Sequence, residues 1–340
     1  MLDLDEQPRR SPLNLILGLV ALALVAVLGA AAFDRTPPAV RARLGFAPEG
    51  TLPTAVADPT PVGVVSADAE TGGPAGPPAP GPSPSPPPRE DHYWLIRPIG
   101  PTGNDWVDYS YPYGSRGDGT LHVHRGVEFV NGDGTPVLAT ATGRVLYSGD
   151  DSAQVFGAHL NYYGQLIILE LDRRLDDQPV YVLYGHLSER TVASGDPVEA
   201  GQIIGHVGKT GVALGPHLHL EVRVGRNDFR ATANPELWLE PYPGKGIVAG
   251  VVVGSHGDLV PEVDLEVRRA DRPNLAVRAR PSYPDHEVQA DPYWGENFCF
   301  GDLDPGRWIL LATRSGYTIT TPFTVEAGRT NWLTVPVPWR

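Results

Sequence analysis

The chain divides by the rhythm of its hydrophobic positions. Residues 13–33, LNLILGLVALALVAVLGAAAF, are apolar on every face and carry no charge, and about 20 such residues are what a helix needs to cross a bilayer. A transmembrane helix is predicted there. From His92 to Glu240 the rhythm changes to short β-branched and aromatic runs broken by Gly, Asp and Asn, among them GTPVLATATGRVLYSG, GQLIILEL, PVYVLYGHL, GQIIGHVG and HLHLEVRV. These runs predict strands, and with no amphipathic helix of ordinary length among them a mostly antiparallel β domain is expected. After the break EPYPGKG a last β-rich segment runs from Ile247 to Pro338.

Composition sharpens the division. The 36 prolines and 39 glycines are unevenly spread, and the stretch from Asp34 to Glu90 ends in PAGPPAPGPSPSPPPRE. That stretch has too few large apolar residues to offset the entropy of ordering, so it is predicted to be a disordered linker. Its reach is roughly 170 Å if it is polyproline-like and about 40 Å if it is a coil. Arg9 and Arg10 precede the apolar segment and favour a cytoplasmic N-terminus, although Arg35, Arg41 and Arg43 follow it. Ala30 and Ala32 also offer the small-residue spacing of a cleaved signal peptide, but the apolar run exceeds the usual ~7–15 residues and an uncleaved anchor is the expected reading.

A net charge of −13, without clustered Lys and Arg, argues against a nucleic-acid partner. The single cysteine, Cys299, excludes an intramolecular disulfide and any multi-cysteine zinc site. Lying in FCF, it reads as a small core residue.

Candidate chemistry sits in three short pieces, HRGVE, YGHLS and GPHLHLEV, which supply His124, Glu128, His186, His217 and His219. On a strand, side chains at i and i+2 share a face, so His217 and His219 project together, and the even spacing of His124 and Glu128 allows the same. Two histidines and one carboxylate make a common catalytic zinc set, with the fourth position left for water. Further histidines would then be free to move protons. GHVGKTG lacks the spacing of a phosphate loop and reads as a glycine turn. His122, His159 and His206 have no matched role. Tyr109, Tyr111, Tyr113, Tyr162 and Tyr163 fit either a groove wall or a core.

Taken in order, HRGVE, GTPVLATATGRVLYSG, VYVLYGHLS, GDPVEAGQIIGHVGKTG and GPHLHLEVR resemble the lysostaphin-like, or LytM-type, zinc metallopeptidases over roughly residues 92–240. The resemblance implies a small antiparallel β fold with a groove over a zinc ion, and hydrolysis of peptide bonds in bacterial peptidoglycan. By position it implies that His124 and His219 are zinc ligands. It also implies that Glu128 stands in the place of the family's aspartate ligand, and that His186 and His217 are the non-ligand catalytic histidines. The glutamate, one methylene longer, leaves a second reading open, a catalytically degenerate wall-binding or hydrolase-regulating protein.

VVVGSHGDLVPEVDLEVRR and ENFCFGDLDPGRWILLATRSGYT resemble carboxypeptidase regulatory-like domains, seven-stranded sandwiches of transthyretin type. The expected plan is therefore mainly β. A cytoplasmic N-terminus at 1–12, a transmembrane anchor at 13–33 and a disordered Pro/Gly-rich linker at 34–90 precede a metallopeptidase domain at 91–243 and a C-terminal β-sandwich at 244–340. The expected cofactor is Zn2+ and the expected partners are peptidoglycan peptides and, through the N-terminal helix, the membrane, with the folded domains outside the cytoplasm.

Overall fold

The computed structural model describes residues 90–117 and 119–339. The predicted anchor and nearly all of the predicted linker lie outside the described residues. Among the described residues no helix is long and apolar enough to cross a membrane.

Among the described residues the fold is mainly β, with one short 3-10 helix at Pro235–Leu237. Nine strands form the first sheet system: β1 (Val127–Val130), β2 (Pro136–Leu138), β3 (Gly143–Asp150), β4 (Gln165–Leu175), β5 (Gln178–Arg190), β6 (Pro197–Val198), β7 (Ile203–Val207), β8 (His217–Val224) and β9 (Thr232–Ala233). Their central order is β1-β8-β5-β4-β3-β6, with antiparallel pairing throughout. Seven strands follow: β10 (Gly246–Val253), β11 (Asp264–Arg269), β12 (Ala276–Pro281), β13 (Phe298–Leu303), β14 (Gly306–Arg314), β15 (Tyr317–Val325) and β16 (Thr330–Pro336). They form a three-stranded sheet β13-β10-β16, in which β10 and β16 run parallel, and a four-stranded sheet β12-β11-β14-β15. Side chains of both sheets, Val248 and Phe300 with Leu265 and Trp308, meet in one core.

The unbroken apolar runs of β4 and β5 belong to strands covered on both faces. Ile167, Leu169, Val180, Val182 and Tyr184 face the large core, while Leu166, Ile168 and Leu183 face a smaller cluster with Phe156 and Tyr163. β10 is likewise covered twice. Ile247 and Ala249 join the core of the first sheet system, and Val248 and Val252 that of the seven-stranded part. The two β regions thus pack as one compact unit across the EPYPGKG break. Buried polar contacts reinforce the joint: Trp238 Nε1 donates to Asp291 at 2.9 Å, and Arg280 pairs with Glu236 at 2.5 Å.

Candidate metal centre

The site is built where β1 and β8 lie side by side. Their antiparallel register sets Glu128 directly opposite His219, and facing side chains of neighbouring strands lie ~5 Å apart at Cβ. His124 comes from the segment before β1, and Gly126 lets that segment close on β8. A Cβ at Gly126 would stand 2.4 Å from the Leu220 carbonyl oxygen and 2.9 Å from the His219 ring, so the glycine of HRG is a requirement of close approach. His217 lies two residues before His219 on the same face. His186 enters from β5, beside Gly185, which pairs with His219.

His186 has φ +62°, in the left-handed region, a conformation that costs a residue with a Cβ of order 1–3 kcal/mol. The register of β4 and β5 slips at this point, and such bulges re-aim a side chain. Its backbone N–H donates to the Tyr163 carbonyl at 2.9 Å and its Nδ1 meets the Thr210 carbonyl at 2.8 Å. The glycine turn around Thr210 therefore orients a histidine.

The five residues singled out in the sequence all converge here. Three donor atoms, one each from His124, Glu128 and His219, lie within 4.8 Å of one another. His124 Nε2 is 3.2 Å from His219 Nδ1 and 3.4 Å from Glu128 Oε1, and His219 Nδ1 is 4.0 Å from that oxygen. Tetrahedral zinc with bonds of ~2.0–2.1 Å sets its ligand atoms ~3.3–3.4 Å apart, so the donor set fits the ion in kind, and the two separations made by His124 match its spacing while that between His219 and Glu128, at 4.0 Å, is wider. Glu128, despite its extra methylene, reaches the other donors. His217 Nε2 also comes to 3.4 Å from Glu128 Oε1 and is buried with no hydrogen-bond partner among the described residues.

Every ring is held from its other nitrogen. His124 Nδ1 meets the Tyr111 carbonyl at 2.5 Å, and the Tyr111 ring stacks on the imidazole at 4.1 Å. His217 Nδ1 meets the Gly215 carbonyl at 2.8 Å. His219 Nε2 lies 3.2 Å from Glu221 Oε1. Glu221 is fully buried, accepts a short hydrogen bond from the Tyr163 hydroxyl, and takes Arg223 Nε and Nη2 on its second oxygen at 2.8 and 2.7 Å. Such outer partners fix the tautomer of a ligating histidine and raise its basicity.

The electrostatics follow from this packing. Burial works against a proton on His219, yet Glu128 and Glu221 outweigh it and lift the ring to about 9. Burial also opposes ionisation of Glu128, but the neighbouring rings of His124 and His219 hold the carboxyl far below the usual range. For Glu221, Arg223 and then His219 overcome burial and bring the carboxyl down to about 2. His186 goes the other way, lowered to about 3 by burial and then by the charges of His219 and His217. Two anionic carboxylates thus frame the donor set, which suits a divalent cation, and His186 is neutral near pH 7.

The histidines and Glu128 line a groove of about 460 Å³ with Tyr111 and Tyr162 on its wall. Tyr109, Tyr113 and Tyr163 pack inside or between the β regions instead. Of the unmatched histidines, His122 reaches the groove rim, His159 is exposed, and His206 lies 3.5 Å from Glu189. Glu221 and Arg223 were not singled out in the sequence, although HLHLEVR continues the same alternation and sets them on the face of His217 and His219.

Residues 122–231 match the sequence model of peptidase family M23. The DD-carboxypeptidase/endopeptidase Mpg of Neisseria meningitidis is 35% identical over 118 residues, 34% of this chain and 24% of that protein. The peptidoglycan DD-endopeptidase ShyC of Vibrio cholerae is 34% identical over 109 residues, 31% of this chain and 21% of that protein. The chain therefore spans about a quarter of the length of these curated relatives. Among solved structures, the catalytic domain of the antimicrobial peptidase lysostaphin from Staphylococcus simulans aligns at 33% identity and a TM-score of 0.31, covering 38% of this chain and 88% of that one.

Proposed function

With residues 122–231 forming a peptidase family M23 domain, we propose that the protein is a zinc-dependent endopeptidase that hydrolyses peptide bonds of bacterial peptidoglycan. Residues 13–33 anchor it in the membrane and the Pro-rich linker presents its folded part outside the cytoplasm. The seven-stranded region serves as a carboxypeptidase regulatory-like domain of transthyretin type. The single observation that carries the hydrolase reading is the donor set His124, Glu128 and His219, closed within 4.8 Å at the floor of an open groove. It favours an intact site over a degenerate one, because Glu128 Oε1 comes to 3.4 Å from His124 Nε2.

In this reading His124, Glu128 and His219 hold the zinc, which when bound polarises a carbonyl and lowers the pKa of water. His186 and His217 do the proton work. Each has Nδ1 tied to a backbone carbonyl, of Thr210 and Gly215 respectively, which leaves Nε2 to accept a proton and, once protonated, to donate to the developing oxyanion. The low proton affinity of His186, about 3, keeps its Nε2 unprotonated at neutral pH. Tyr111 stacks on His124 and holds its ring in plane.

The test is to compare metal content with turnover. His186→Gln and His217→Gln should each retain zinc and lose about 10²–10⁴-fold in turnover, the usual share of a general acid or base. Zinc loss from His186→Gln equal to that from His219→Ala would contradict the assignment.

A further inference from the structure

Beside the metal groove the chain builds a second cleft of different character. Arg125 directly follows His124, and the loop leaving β8 carries Arg226 and Arg230. These three side chains, with His286, Glu287 and Gln289, line a cleft of about 460 Å³. In a chain of net charge −13 such a convergence of arginines calls for a counter-charge. The nearby carboxylates do not supply it. Glu287 is engaged by Arg116, and Asp228 accepts the backbone N–H of Arg230 at 2.7 Å. Arg226 and Arg230 are exposed, and among the described residues neither guanidinium has an ion-pair or hydrogen-bond partner.

The metal groove offers nothing comparable. No lysine or arginine lines it among the described residues, and its rim is apolar, with Val212 56% and Leu214 96% exposed. A carboxylate on a peptide that runs out of that groove meets the guanidinium groups of the neighbouring cleft. The two are joined by a short relay. Tyr162 of the groove meets the Phe229 ring edge-on at 5.8 Å, and the Arg125 guanidinium lies 4.5 Å over that same ring.

Resting on the peptidase reading of the groove, we propose that the cleft of Arg125, Arg226 and Arg230 is a substrate subsite for a carboxylate. The enzyme then selects peptides that carry a free carboxyl group beyond the bond it cuts. Arginine suits this use because its planar fork matches a carboxylate with two parallel hydrogen bonds.

The probes are peptides released from peptidoglycan, labelled with fluorescein at the amino terminus, with their carboxyl groups either free or converted to amides. Fluorescence anisotropy on the full chain, held metal-free with EDTA so that no turnover intervenes, should give about fivefold tighter binding of the free acids, as expected of exposed charge pairs. The double variant Arg226→Gln/Arg230→Gln should lose that preference while binding the amides as before. Equal affinities in the unaltered protein, no binding of either peptide, or a preference that survives the double variant would overturn the proposal. So would a glycerol-phosphate oligomer binding more tightly than the free acids, which would reassign the cleft to a phosphodiester polymer. Hydrolysis by the zinc-loaded protein is followed in parallel. Cleavage without preference defeats the subsite alone, and preference without cleavage defeats the peptidase reading while leaving the subsite.

Discussion

β8 and β10 are both buried strands, and they are buried for opposite reasons. On β8 the residues Leu218, Leu220 and Val222 pack into the large core, while His217, His219, Glu221 and Arg223 form a buried polar row on the other face. β10 is apolar on both faces, with Ile247 and Ala249 against one core and Val248 and Val252 against the other. Burying a polar row costs several kcal/mol unless every group is paired. β8 meets that cost with a chain of contacts running from the donor set through Glu221 to Arg223. β10 makes no such outlay and serves as the joint between the two β regions. The difference teaches where the molecule places chemistry and where it places support.

The largest effect should come from breaking the β8 row at its buried end. Arg223→Met takes the guanidinium away from the second oxygen of the buried Glu221, and should cost about 3–5 kcal/mol of stability in urea unfolding. A cost under ~1 kcal/mol would show that the pair is not held dry. Glu221→Gln, milder, should leave the fold in place and weaken zinc binding about 10–100-fold in competition with a chelator; unchanged affinity would remove Glu221 from the orientation of His219.

Another buried glutamate tests the comparison from the other region. Among the described residues Glu296 forms no ion pair, and burial, followed by the charge of Asp291, raises its carboxyl well above the ordinary value. A raised folded-state value contributes stability that is full below the unfolded value of ~4.5 and is lost as pH rises toward the folded one. Thermal stability should therefore decline above about pH 4.5, by at most about 1.4 kcal/mol per pH unit, the limit for a single proton. Glu296→Gln should flatten that decline, and an identical pH profile in the variant would refute this. For Glu221 the sign is reversed: its lowered carboxyl contributes stability above its unfolded value, lost as pH falls toward about 2.

Much of this was legible in the sequence. Period-2 patterning and turn residues marked the β regions, and the i, i+2 pairing of His217 and His219 marked the shared face. The role of Glu221 and Arg223 was not legible, because alternating polar residues on an antiparallel strand ordinarily face water. Here Phe156 and Tyr163, from a segment some 60 residues earlier, close over that face. The left-handed backbone of His186 is set by a bulge and by Thr210, which a local pattern does not encode. The joint through β10 depends on pairs as distant as His92 and Asp291, 199 positions apart, so the EPYPGKG break reads as a separation that packing then closes.

The central claim is that His124, Glu128 and His219 form a working zinc centre. Its most direct test is zinc content and release of soluble peptides from purified peptidoglycan, measured on the full chain in detergent beside His219→Ala and Glu128→Asp. The account predicts about one zinc per chain, as one three-ligand catalytic site requires, together with peptide release, both lost in His219→Ala. A chain that is metal-free and inert, and that gains both properties in Glu128→Asp, would contradict it and leave a wall-binding relative whose site failed at that carboxylate.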